Sequence, residues 1–309
     1  MRSVLLIAAV ASLPSAFAQT TVPDLPRAIY ADPAVDLINP ASTIAVEIPS
    51  HGYVMNGFIY RPAGRGPFPL IVLLHGLPGN EQNLDLAQAL RRSGWAVLTF
   101  HYRGCFGSKG QFTIDNALED ARVAVRRASD PAVARSWSID PTQIVIIGHS
   151  MGGLAAARAA ASAPQRLATI LLAPWDPSRL AQQLRQMSRK QLSLSAEGLW
   201  GNVSSGRLTG ISSQQIAEQI VAHGNRWRLA DAAKGLSHRP LLIVTGARDR
   251  VQNKAIDLKS ALQRDGANAT SIEIDSGHSF DDHRIELEST VLRWLSQLRR
   301  SQLTAVPRQ

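Results

Sequence analysis

With 309 residues, 45% of them hydrophobic and 18% charged, the chain can bury the core of one large α/β domain or two small ones, and its composition excludes a disordered chain. The net charge of +9 arises from 33 basic and 24 acidic residues, but no run of five or six Lys and Arg occurs. That dispersion reads as a solvated basic surface, with an affinity for anionic membranes or polymers as the alternative reading, and argues against nucleic acid as a partner.

The first 18 residues read as a leader outside the fold. Arg2 supplies a positive start, residues 4–10 an apolar core and Ala16-Phe17-Ala18 a small-x-small cleavage site. Cleavage there predicts an exported chain beginning near Gln19, with its charge lowered from +9 to +8 by loss of Arg2. No later stretch approaches the roughly 18 uninterrupted apolar residues of a membrane span. The one cysteine, Cys105, allows no intramolecular disulfide and is expected to be buried.

Residues 19–43 carry Pro23, Pro26, Pro33 and Pro40 and are expected to run irregularly over the surface. Residues 44–48 and 53–60 alternate in polarity and predict an antiparallel hairpin around Ser50-His51-Gly52. A buried strand over 70–74, a helix over about 81–93 and a strand over 96–100 follow. Thr113 is placed to cap a helix over 114–128, with Asp115 and Glu119 near its start and Arg126 and Arg127 near its end.

Four β-branched residues, Ile144-Val145-Ile146-Ile147, then form a strand buried on both faces. Gly148-His149-Ser150-Met151-Gly152 follows as a match to G-x-S-x-G, and an alanine-rich helical run over 154–163 comes next. Strand, sharp turn and helix are the context that lifts a serine hydroxyl clear of a sheet edge, so Ser150 is the candidate nucleophile. A strand over 169–172 is followed by residues 175–238, which carry only helical and loop signals. Strands over 241–244 and 271–274 resume the rhythm. A closing helix over 284–300 is expected to turn Ile285, Leu287, Val291, Leu292, Leu295 and Leu298 to the sheet.

The predicted fold is therefore α/β. It has a mostly parallel eight-stranded sheet, helices on both faces and a helical cap over about 175–238 inserted after the sixth strand. Functional loops of such sheets gather beyond the carboxyl ends of the strands. A serine nucleophile needs a base, and the base needs a carboxylate to orient it. His278 and Asp249 each lie just past a late strand and give the order Ser, Asp, His. Asp275 and His283 are the competing acid and base. His75 reads as a loop-bracing histidine, His101, Tyr102 and Arg103 as loop supports, and His149 as packing beside the nucleophile. No Cys, His and carboxylate cluster has metal-ligand spacing, and no phosphate-cradling Gly-Lys-Ser/Thr pattern occurs.

Over roughly residues 44–300, in strand order and four motif loops, the chain resembles the α/β-hydrolase superfamily. His101-Tyr102-Arg103-Gly104, Gly107-Ser108-Lys109-Gly110 and Gly152-Gly153 are similar to the branch near dienelactone hydrolases, serine aminopeptidases and prolyl-oligopeptidase-type catalytic domains. The resemblance implies Ser150 as nucleophile, Asp249 as triad acid and His278 as general base. It also implies an oxyanion hole from the backbone N–H groups of Met151 and Leu77, and a mechanism without cofactor or metal. The chain has no room for the propeller that gates the last of these enzymes, so a small carboxylic ester is favoured over a peptide as substrate. An aminopeptidase or acyl-peptidase is the runner-up, and a non-catalytic binding protein on the same scaffold is the alternative from another class. Trp175, Leu199, Trp200 and Trp227 are expected either to line an acyl pocket or to dock the cap.

Overall fold

A computed structural model describes residues 25–201, 207–250, 255–267 and 269–304. The expected leader, the first residues of the proline-rich segment and the possible glycosylation sites at Asn202 and Asn268 lie outside the described residues.

Eight strands form one sheet: β1 (Ser42–Ser50), β2 (Tyr53–Arg61), β3 (Phe68–Leu74), β4 (Ala96–Phe100), β5 (Ile139–His149), β6 (Ala168–Leu172), β7 (Leu241–Gly246) and β8 (Thr270–Ile274). Their order is β1-β2-β4-β3-β5-β6-β7-β8. The hairpin β1–β2 and the β2–β4 pair are antiparallel, and every other pair is parallel. The eight-stranded, mostly parallel sheet expected from the sequence is thus the observed one.

Helices follow the strands: α1 (Arg27–Tyr30), α2 (Leu84–Arg92), α3 (Ile114–Ser129), α4 (Pro131–Trp137), α5 (Met151–Ser162), α6 (Pro177–Arg185), α7 (Arg189–Trp200), α8 (Ser213–His223), α9 (Ala233–Leu236), α10 (Ile256–Arg264) and α11 (Arg284–Thr304). Alternation along the buried strands sorts their side chains into two cores. Leu70, Val72 and Leu74 join Ile144 and Ile146 on the face covered by Ala117 and Ala121 of α3 and Leu154 of α5. Ile71, Leu73, Val145 and Ile147 meet Leu86 and Leu90 of α2 and Leu287 and Val291 of α11 on the other.

Several local expectations need correction. Helix α2 starts at Leu84, three residues later than expected, because Asn83 adopts the left-handed conformation (φ 56°) and breaks the turn before it. Ile285 is 57% exposed. It lies two residues, or about 200° of helical rotation, from the buried stripe of Leu287, Val291 and Leu295. Helices α4 and α10 are additional; Asp130, whose carboxylate accepts from Ala132 and Val133, and Pro131 at the first position are the sequence signals that mark α4. The segment expected to be irregular contains the single turn α1, held by Arg92, which donates to the carbonyl of Ala28.

Between β6 and β7 the chain forms α6, α7, α8, two 3₁₀ turns (Gly224–Trp227 and Leu229–Ala232) and α9. Capping boxes at Ser188/Gln191 and Ser212/Gln215 start α7 and α8. Trp175, Trp200 and Trp227 are buried in the core and so fasten this segment, whereas Leu199 is half exposed. Trp227 Nε1 donates to Asp115 of α3 at 2.7 Å. A short stretch also pairs with the loop after β4: Leu208 bridges Cys105, Thr209 N donates to Gly104 O at 2.7 Å, and Phe106 N donates to Arg207 O at 2.9 Å. At the other end Arg239 donates to the carbonyls of Gly235, Gln165 and Ala163, the last just past α5.

The loop after β4 is anchored from below by a buried ion pair. Asp120 of α3, with no exposed surface, accepts from Arg103 Nε at 2.7 Å, Arg103 N at 2.9 Å and Ser50 Oγ at 2.7 Å. Removing one partner leaves the other charge buried without compensation, a loss of about 3–5 kcal/mol. Asp120→Ala is therefore expected to lower the unfolding free energy measured in urea by that margin, and Arg103→Met with Asp120→Leu to recover much of it. A double variant no more stable than Asp120→Ala would show that the pair acts through something other than its buried charge.

Candidate active site

The Ser150 turn is built by close approach. Strand β5 ends at His149 and α5 begins at Met151, so Ser150 alone makes the corner, at φ 56° and ψ −119°. That strained conformation is the one a strand-to-helix serine elbow requires. A Cβ on Gly148 would lie 2.0 Å from Gly152 O, and one on Gly152 would lie 2.3 Å from Leu74 O. Ser150 N donates to Leu172 O at 2.9 Å, and Trp175 N donates to Ser150 O at 2.9 Å. Met151 opens α5, so its N–H has no acceptor within the helix.

The loops after β7 and β8 form one unit. Ala247 N donates to Ile274 O at 2.7 Å and Arg248 N to Ser276 O at 2.9 Å. This brings Asp249 and His278 together, with His278 Nδ1 2.8 Å from Asp249 Oδ2. A carboxylate only accepts, so Nδ1 carries the proton and Nε2 is left with its lone pair. The Asp249 side chain is 2% exposed and that of His278 is 20% exposed, a carboxylate screened from water behind an imidazole that is not.

His149 ties this unit to the Ser150 turn. Its Nε2 donates to His278 O at 2.9 Å, and the two imidazole rings lie 5.0 Å apart. Burial pushes the His149 pKa down to about 3. The ring beside His278 is therefore neutral, and its Nε2–H serves as a fixed donor. The expectation that His149 merely packs is thus too weak, because a histidine flanking the serine carried no sequence sign of this contact.

The loop after β3, which carries Leu77, is braced from two sides. His75 Nδ1 donates to Gly76 O at 2.8 Å, and Tyr102 OH donates to His75 O at 3.1 Å. Burial lowers the His75 pKa to about 4. Gly76 lies against Ser150: a Cβ there would be 3.0 Å from that of Ser150. Phe106 packs against His101 (ring centroids 4.8 Å apart) and His75 (6.0 Å). His75, Tyr102 and Arg103 thus brace the loops, as expected, and Cys105 is buried with its thiol pKa pushed up by desolvation.

The competing residues lie elsewhere. Asp275 has a 79% exposed side chain and pairs with Arg248 at 3.0 Å. Arg248 also bonds Asp282, whose carboxylate lies 3.2 Å from His283 Nδ1. His283 belongs to that surface network. Among the described residues no group of His, Cys, Asp and Glu is arranged to hold a metal ion, and no helix is long and apolar enough to cross a membrane.

Among curated proteins, the quorum-quenching protein AidA of Acinetobacter baumannii is 36% identical over 121 residues, covering 37% of this chain and 38% of that protein. Esterase EstD of Thermotoga maritima is 28% identical over 131 residues, covering 38% of this chain and 30% of its own. The match thus spans less than half the length of either relative. Among solved structures, Est1E of Butyrivibrio proteoclasticus with ferulic acid bound has a TM-score of 0.61 at 20% identity, covering 82% of this chain and 98% of that one. A 2,6-dihydroxy-pseudo-oxynicotine hydrolase has a TM-score of 0.59 at 19% identity, covering 84% and 68%. At such identities these structures share the fold. A sequence profile of the alpha/beta hydrolase family matches residues 71–288, from within β3 into α11, and this chain belongs to that family.

Proposed function

We propose that this chain is an exported serine hydrolase that cleaves small carboxylic esters. The observation that carries the proposal is the 2.8 Å contact of His278 Nδ1 with buried Asp249, held by His149 beside the strained Ser150. In this reading His278 Nε2 takes the Ser150 proton as Oγ attacks the ester carbonyl. The N–H groups of Met151 and Leu77 stabilise the oxyanion, each lowering the barrier by about 3 kcal/mol. His278 returns the proton to the departing alcohol, and water then releases the acid from the acyl-enzyme by the same steps in reverse order.

The names of related proteins include an esterase and an uncharacterised peptidase. A peptidase that holds a free amine needs carboxylates gathered near the serine. Those of the cap are engaged locally instead: Asp176 with Ser178 and Leu229, Glu197 with Ser213, Glu218 with Gln214 and Asp231 with Arg158. This favours the ester. The export signal in residues 1–18 completes the proposal, with substrate met outside the cytoplasm.

Ser150→Ala is expected to abolish nitrophenyl ester hydrolysis and fluorophosphonate labelling while the protein still unfolds cooperatively. Asp249→Asn should lower kcat by up to about 10⁴ by disfavouring the required tautomer. Asp275→Asn and His283→Ala should leave the rate near that of the unchanged protein. A wild-type protein that cleaves aminoacyl anilides faster than esters would move the substrate to peptides; a rate retained in Ser150→Ala would remove the mechanism.

Acid should act on stability independently of catalysis. His75 and His149 are held at about 4 and about 3, below the ordinary 6.5. Between these values the unfolded chain binds more protons than the folded one, so stability is full above pH 6.5 and falls as pH drops toward 4. Each histidine contributes up to ~1.4 kcal/mol per pH unit. The urea midpoint is therefore expected to fall from pH 6.5 to 5, and His149→Gln, which keeps a donor for His278 O, should flatten the decline. An equal decline in that variant would show that His149 is not buried neutral.

A further inference from the structure

The sheet has a second functional-looking end. Register places Arg61 of β2 beside the start of β1, and both lie at the amino ends of the parallel strands, opposite Ser150, Asp249 and His278. Residues 31–41 cross that end, joined to the β2–β3 loop by Gly64 N donating to Asn39 O at 2.8 Å. Asp36 bends the segment sharply, its Oδ1 accepting from Ile38 N at 2.9 Å and Asn39 N at 2.8 Å. The bend leaves Val35, Leu37 and Ile38 83%, 90% and 89% exposed, with Tyr30 68% exposed just before them. Aliphatic side chains so close together and so open are what a folded chain ordinarily buries.

Cations flank this apolar strip on both sides. A groove of about 1090 Å³ runs under Pro33 and Ala34 and is lined by Arg27, Arg92 and Arg299, against one carboxylate, Asp32. A second, of about 540 Å³, lies at Asn39 and is lined by Arg61, Arg65 and Arg135, with no carboxylate in its wall. Arg27, Arg61 and Arg65 have no ion-pair partner among the described residues, and Arg135 has only the exposed Asp130 near it. An apolar strip between two guanidinium-lined grooves has the chemistry of a surface that meets lipid headgroups and the first methylenes beneath them.

We propose that the amino end of the sheet docks on an anionic lipid surface, with Val35, Leu37 and Ile38 entering the headgroup layer and the flanking arginines holding phosphates. Docked in this way, the protein turns the Ser150 end toward water, so substrate arrives from solution and not from the bilayer.

Flotation of the purified full chain with vesicles tests this. Vesicles of phosphatidylcholine containing phosphatidylglycerol are expected to bind at least about tenfold tighter than phosphatidylcholine alone, and less tightly as salt rises. Leu37→Ser with Ile38→Ser, and separately Arg61→Gln, Arg65→Gln and Arg135→Gln together, should each weaken binding by about tenfold or more. Arg185→Gln, Arg189→Gln and Lys190→Gln on the exposed cap remove the same charge from the opposite end and should leave binding unchanged. Hydrolysis of a soluble ester, or labelling of Ser150, should be equal in all of these proteins, so docking and catalysis are tested separately. The proposal is overturned by absence of binding to the anionic vesicles, or by equal loss in the cap variant, which would reduce the effect to net charge. It is also overturned by a wild-type dimer that Leu37→Ser with Ile38→Ser dissociates in the absence of any vesicle binding.

Discussion

The contact of Gly152 with the end of β3 is the constraint on which the remaining site depends. With no room for a methyl group between Gly152 and the carbonyls of Leu74 and His75, helix α5 starts directly on the neighbouring strand. The Ser150 turn and the Leu77 loop are therefore set by one backbone-to-backbone approach and not by adaptable side chains. Any larger residue at Gly148 or Gly152 would separate β3, β5 and α5 at the point where their ends must converge.

The second half of the site has a different origin. Asp249 and His278 are joined by bonds between two loops, and His149 links that pair to the rigid turn through a single donor. Burial of His149 matters twice. It keeps the ring that faces His278 uncharged, and it leaves that ring the proton that the carbonyl of His278 accepts. The cost is an imidazole nitrogen, Nδ1, that is buried without a hydrogen-bond partner.

Much of this was legible in the sequence because strand ends and short motifs carry local information. Runs of β-branched residues located β3, β5 and β7, and the glycines around Ser150 announced a turn that few other residues can make. The positions of Asp249 and His278 followed from the strands before them. What remained hidden depends on contacts far apart in the chain. Nothing near His149 indicates a bond to a residue 129 positions away, and nothing in residues 207–210 indicates pairing with the loop after β4. The cap tryptophans were ambiguous for the same reason: a large apolar ring suits a pocket wall or a core equally until its neighbours are known. Ile285 is exposed, against expectation, because a helical periodicity admits a residue at its edge that rotation turns outward.

The cap leaves and re-enters the core at the two ends of one helix. Trp175 is bonded to Ser150 where α5 begins, and Arg239 grips the carbonyls of Ala163 and Gln165 just after α5 ends. Twelve helical residues set that separation at about 18 Å. The span that a replacement segment must bridge is thus a constant of the core, independent of what the segment contains. Exchange of the whole insertion between those two anchors becomes a loop-closure problem whose cost grows only slowly with length, so the content of this stretch can change without rebuilding the sheet.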